Sequence, residues 1–156
     1  MRTPVLLLAC LQCAGAAAQE EAEASFDRFK LWNGCASTRL IVESLSDDAD
    51  EIGLEHEDVV VAVRSRLRAA RIYNTDESGP YLYVQVNVVS RSFSINVMYS
   101  KVVIDVATEL PGSAMTWTTG VTGSHGGDSG YVLSVVYREI DRFIDEYLRV
   151  NAEACS

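Results

Sequence analysis

The sequence predicts an α+β fold, a two-layer sandwich in the order β-α-β-β-β-α with two helices on one face of a four-stranded mixed sheet. Three observations predict it. Two segments, 57–70 and 131–151, repeat apolar residues at helical spacing. Segments between them alternate apolar and polar residues with the period of two that a half-buried strand requires. Clusters of Gly, Ser, Asn and Asp punctuate the series. A β-α-β beginning places two strands parallel through a crossover, and the later strands follow as an antiparallel meander.

The first 18 residues, MRTPVLLLACLQCAGAAA, combine Arg2, an apolar run from Pro4 to Cys13 and small residues at Ala16, Ala17 and Ala18. That is the layout of a secretory signal peptide, and the run is too short to span a bilayer. Leu7-Leu8-Ala9-Cys10 also has the form of a lipoprotein box. The apolar stretch before Cys10 is short for a lipid anchor, which argues against one there. Residues 19–36 read as an N-terminal segment, disordered over 19–25 (QEEAEAS). Phe26, Phe29, Leu31 and Trp32 then give a turn or two of helix. A single domain fills 37–156, a length that supports a real core.

Within the domain, Thr38 to Leu45 is β-branched and apolar and reads as a strand. Ser46 to Glu55 reads as an acidic, solvated loop. The helix over 57–70 buries Val59, Val60, Val63, Leu67 and Ala70, and carries Glu57 and Asp58 in its first turn and arginines toward its end, as its dipole favours. A turn at 74–79 leads to the strand 80–89, with Leu82, Val84, Val86 and Val88 inward. The next strand starts at Phe93 with Phe93, Ile95 and Val97 inward. Past Lys101 its apolar set moves to Val102, Ile104 and Val106, so a bulge is expected near Tyr99 to Lys101. The strand 115–123 puts Met115, Trp117 and Val121 on one side. The final helix lines Leu133, Val136, Ile140, Phe143, Ile144 and Tyr147 along one face, opposite a charged, solvated face.

The net charge is −9, and loss of Arg2 with a leader makes it more negative. Nucleic acid needs clustered Lys and Arg, so it is excluded as a partner class. The same balance argues against an anionic membrane surface. No segment is apolar enough for a transmembrane helix. Cleavage after residue 18 leaves two cysteines, Cys35 and Cys155, and an even pair in an oxidising compartment reads as a disulfide.

Several motifs invite chemistry. Gly127-Asp128-Ser129-Gly130 has the letters that surround a trypsin-like nucleophile, and His56, Asp105 and Ser129 imitate the triad order. The chain is too short for a double β-barrel, and Tyr131 opens a helix directly after the motif. Asp128 or Ser129 reads instead as the cap of that helix. The glycine-rich loop lacks the Walker spacing and any nearby lysine, so phosphate is not expected there. With Asp48 as its first position, the acidic loop places Ile52 and Val59 where an EF-hand needs oxygen ligands. His56 and His125 have no partner at metal-binding spacing. No metal or cofactor is expected. The outward residues Tyr81, Tyr83, Gln85, Asn87, Ser94, Asn96, Thr116 and Thr118 form a polar, nearly uncharged face suited to binding a partner.

The element order, the strand carrying Met115-Thr116-Trp117-Thr118 and the long C-terminal helix resemble small accessory domains of the bacterial envelope, of the lipopolysaccharide-assembly lipoprotein type and related exported domains of unknown function. The resemblance runs from about Thr38 to Asn151 and is one of layout. It implies a non-catalytic, periplasmic or secreted module that docks a protein or other envelope partner. The alternatives are a small hydrolase using Ser129, or a carrier holding a small apolar ligand between helices and sheet.

Overall fold

The structure, a computed structural model, describes residues 24–155. Residues 1–18, expected to be a signal peptide and including Cys10, and residues 19–23 lie outside the described residues. A first helix, α1, runs over 24–31 and therefore includes two residues of the stretch expected to be disordered. The order continues with β1 (Thr38–Val42), α2 (His56–Ala69), β2 (Tyr73–Asn74), β3 (Tyr81–Val89), β4 (Ser92–Ile104), β5 (Pro111–Ser124) and α3 (Ser129–Val150).

The protein is α+β around one mixed sheet, which has five strands rather than four, in the order β2-β1-β3-β4-β5. The additional strand is β2, which pairs parallel with Thr38 and Arg39. It forms because Arg71 takes a left-handed conformation (φ 60°) after α2 and Ile72 drops into the core. That turn delivers two more residues alongside β1. α2 links β1 to β3, which lie side by side and parallel, and β3, β4 and β5 form the antiparallel meander.

The acidic stretch is not a solvated loop. Residues Asp47–Ile52 form a 3₁₀ helix that ends at Gly53 in the left-handed region (φ 68°). Ala49 and Leu54 are fully buried there, and Asp48 Oδ2 accepts the Ser90 backbone N–H at 2.7 Å. Two apolar side chains in an acidic segment are enough to anchor it to the core. In α2, Asp58 Oδ2 accepts the Glu55 N–H at 3.1 Å, which satisfies an orphan donor at the helix start.

The space between helices and sheet is filled by aliphatic side chains and a cluster of aromatic rings. Phe143 lies 5.3 Å from Trp117, 5.5 Å from Tyr99 and 5.6 Å from Tyr147, centroid to centroid. The carrier reading needed that space to be open, and it is occupied by side chains. Burial pushes the Tyr99 hydroxyl far above its usual range and raises Tyr147 to about 12. The buried stripe of α3 is centred on Val132, Val135, Val136, Ile140, Phe143 and Tyr147, while Leu133 and Ile144 sit at its margins.

The bridge Cys35–Cys155 ties the turn after α1 to the tail after α3. Asn151 binds the same junction without a covalent bond. Its Oδ1 accepts the N–H groups of Asn33 and Cys35 at 3.0 and 3.3 Å, and its Nδ2 donates to the Leu31 carbonyl at 3.0 Å.

Candidate functional site

The helices cover one face of the sheet and leave the other to solvent. Strand register arranges the open face in cross-strand rows, because directly paired residues share a face. Arg39, Tyr81, Ser100 and Met115 make one row. Ile41, Tyr83, Met98 and Thr118 make the next. Gln85, Asn96 and Gly120 follow, and then Asn87, Ser94 and Thr122. Asn96 Nδ2 donates to Gln85 Oε1 at 3.2 Å. Gly120 leaves room for that amide, since a Cβ there would stand 2.6 Å from Asn96 Oδ1.

Tyr81, Tyr83, Met98, Ser100 and Met115 line a depression of about 200 Å³. Its floor is apolar in character, because the Ser100 hydroxyl is already used by the Ala114 carbonyl at 3.1 Å and by the Ser113 hydroxyl at 2.9 Å. The Glu43 carboxylate nearby raises the Tyr83 hydroxyl above the ordinary tyrosine value. The Arg39 guanidinium stands 5.8 Å from the Tyr81 ring centroid, within cation–π reach. One side of the depression is thus fixed by β1.

The sequence assigned two parts of this face differently. A register shift occurs at Tyr99/Ser100, where one step on β4 matches two on β5. The extra residue is Thr116, whose hydroxyl donates to the Lys30 carbonyl of α1 at 2.6 Å. Thr116 therefore leaves the candidate face and Met115 joins it, 59% exposed. β4 keeps its alternation through the shift, so Val102 and Ile104 share the outer face with Met98 and remain exposed. The parity change lies on β5, where the short repeat Thr116-Trp117-Thr118 hides it from pattern reading.

The residues imitating a protease triad are not brought together. Asp105 follows β4, which is 13 residues long. A strand of that length spans about 40 Å. Ser129 follows the loop after Ser124, which pairs with Ser92 at the opposite end of β4. Asp105 is engaged locally, accepting the Ala107 and Thr108 N–H groups at 3.0 and 2.8 Å. His56 Nε2 sits 3.3 Å from the Val42 carbonyl. His125 is buried with Nε2 2.8 Å from the Ser90 carbonyl and Nδ1 accepting the Gly127 N–H at 2.9 Å, so both ring nitrogens are occupied. This histidine fixes the glycine-rich loop against the β3–β4 turn. Among the described residues no three His, Cys, Asp or Glu side chains gather as a metal site.

Asp128 is the N-cap of α3 and its Oδ1 accepts the Tyr131 N–H at 3.1 Å, while Ser129 is the first helical residue. Asp128→Ala is expected to cost about 1 kcal/mol in urea unfolding. Ser129→Ala is expected to stay within about 0.5 kcal/mol. A larger loss for Ser129 than for Asp128 contradicts this division of roles.

No family model matches the chain, and no curated protein matches it. Solved structures to which it is similar include a dodecamer of a PelC point variant from Paraburkholderia phytofirmans, at 16% identity and a TM-score of 0.40, covering 72% of this chain and 87% of that one. A minor lipoprotein from Acinetobacter baumannii aligns at 12% identity and a TM-score of 0.28, covering 76% and 93%. Rare lipoprotein B from Shewanella oneidensis aligns at 16% identity and a TM-score of 0.26, covering 74% and 95%. Bacterial lipoproteins thus stand among the structural neighbours, at low scores. No described helix is long and apolar enough to cross a membrane.

Proposed function

We propose that the protein is an exported, non-catalytic binding module that docks a partner protein on its open sheet face. The observation that carries the reading is the depression lined by Tyr81, Tyr83, Met98 and Met115 on an otherwise rigid, uncovered sheet. Aromatic and methionine side chains are enriched where proteins meet, and tyrosine gives up little freedom on contact. Strand register holds these side chains in place before any partner arrives, which lowers the ordering cost of binding. Export is supported by the Cys35–Cys155 bridge, since such bonds persist in oxidising compartments.

The test is site-specific photocrosslinking in the producing cell. A photoreactive residue at Met98 is expected to give a discrete protein adduct, and one at exposed Glu57 on α2 is expected to give none. Tyr81→Ser with Tyr83→Ser is expected to abolish the Met98 adduct while leaving the unfolding transition in place. Equal labelling at both positions, or an adduct indifferent to the tyrosine changes, refutes the face as the docking site.

A further inference from the structure

The sheet ends on β5, and an edge strand offers a row of unpaired N–H and C=O groups. Proteins blunt such edges with lysine, proline, inward charges, bulges or covering elements. Among the described residues, β5 starts at Pro111 and carries its bulge and a contact from α1 at Thr116. From Trp117 to Ser124 the strand reads Trp-Thr-Thr-Gly-Val-Thr-Gly-Ser, with no charge and no proline. Most of these residues are aromatic or β-branched, the types that favour strand pairing. Among the described residues, no backbone hydrogen bond reaches this stretch from outside β4. The opposite edge, β2, is two residues long.

The rim of this edge is neutral, although the chain carries −9. α3 sets Glu139 and Glu146 against Arg138 and Arg142 beside it. Thr119 Oγ1 donates to Glu139 Oε2 at 2.8 Å, and Arg142 donates to Thr119 Oγ1 at 3.2 Å and to Glu146 Oε1 at 3.1 Å. Trp117 Nε1 donates to Glu146 Oε2 at 2.7 Å, and Arg138 Nε lies 3.9 Å from Glu139 Oε1. On the outer side stand Thr118, Gly120 and Thr122, all uncharged. Two copies of an acidic protein repel across most of their surface, and this edge is where they meet without opposing net charge.

We propose that Trp117–Ser124 of β5 pairs antiparallel with the same segment of a second copy, joining two five-stranded sheets into one. An antiparallel pair of identical strands is two-fold symmetric, so one segment supplies both sides of the interface. Assembly closes at the dimer because, among the described residues, the remaining sheet edge is short and stepped, two residues of β2 followed by the last three of β1. Both open faces then lie on the same side of the joined sheet, which presents two copies of the tyrosine–methionine depression and makes the module bivalent.

The disulfide-bonded protein is followed by sedimentation velocity and amide hydrogen exchange across a concentration series. The expected result is a dimer whose outward-pointing amides in Trp117–Ser124 gain protection as concentration rises. Thr122→Lys with Ser124→Lys, both at exposed positions, is expected to return the protein to monomer with its melting temperature in dilute solution unchanged. A monomer at every concentration overturns the proposal. So does a dimer that survives the lysine pair, or one whose edge amides exchange as fast as in the monomer. Protection that appears only when a different protein is added assigns the edge to a foreign strand and equally overturns it.

Discussion

Replacing Cys35 and Cys155 with serine is expected to lower stability by about 4–5 kcal/mol. The bridge joins residues 120 apart in sequence, so nearly the whole domain lies inside the loop it closes. Without it the unfolded chain gains the entropy of an open loop of that length. The folded state changes little, because Asn151 still holds Asn33, Cys35 and Leu31 at the same junction. The loss is therefore expected in the melting temperature, about 15–20 °C for a domain of this size. The urea dependence of unfolding is expected to steepen, since a chain without the cross-link exposes more surface. A change under about 1 kcal/mol would mean that the junction is held by its hydrogen bonds alone.

Phe143→Ala is expected to cost about 3–5 kcal/mol. The ring is fully buried and touches Tyr99, Trp117 and Tyr147 at centroid separations of 5.3 to 5.6 Å. Its removal leaves a hole among large, fixed rings that cannot close up. Tyr147 also donates from its hydroxyl to Asn33 Oδ1 at 2.6 Å, and Asn33 Nδ2 donates to the Tyr99 hydroxyl at 2.6 Å. Those bonds restrain both tyrosines from moving into the space. Phe143→Leu keeps most of the volume and is expected to cost roughly 1–2 kcal/mol. Chemical unfolding of the three proteins gives the comparison, and the near-ultraviolet circular dichroism of Trp117 is expected to weaken in the alanine variant. If leucine and alanine cost the same, the ring cluster is not close-packed around this position.

Much of the architecture was legible because it rests on local periodicity. The alternation from Leu82 to Val88 is buried as read, and α2 begins within a residue of where Glu57 and Asp58 placed it. The Cys35–Cys155 pair followed from counting the cysteines beyond the expected leader. What failed were features that depend on a neighbour. The strand β2 is two residues long and exists only because β1 stands beside it. The 3₁₀ helix at Asp47–Ile52 is acidic enough to read as solvated, and it is held by the burial of Ala49 and Leu54 and by the Asp48–Ser90 hydrogen bond.

The candidate face divides in the same way. Tyr81, Tyr83, Gln85 and Asn87 were readable from period two on a single strand. Met115 and Thr116 were exchanged, because a bulge changes which face a residue occupies without altering its own sequence. The Ser129 motif shows the converse: four letters of sequence suggest a nucleophile, and only the tertiary structure puts Asp105 at the far end of the sheet and occupies both nitrogens of His125.

By itself the sequence determined the class of fold, the buried side of most elements and the covalent bridge, since each follows from the chemistry of neighbouring positions or from composition. The tertiary structure alone decided the strand order, the place of the bulge, the composition of the open face and the uncovered length of β5. Those depend on which segments lie side by side, and pairing across long sequence separations is set by the packing of the whole domain.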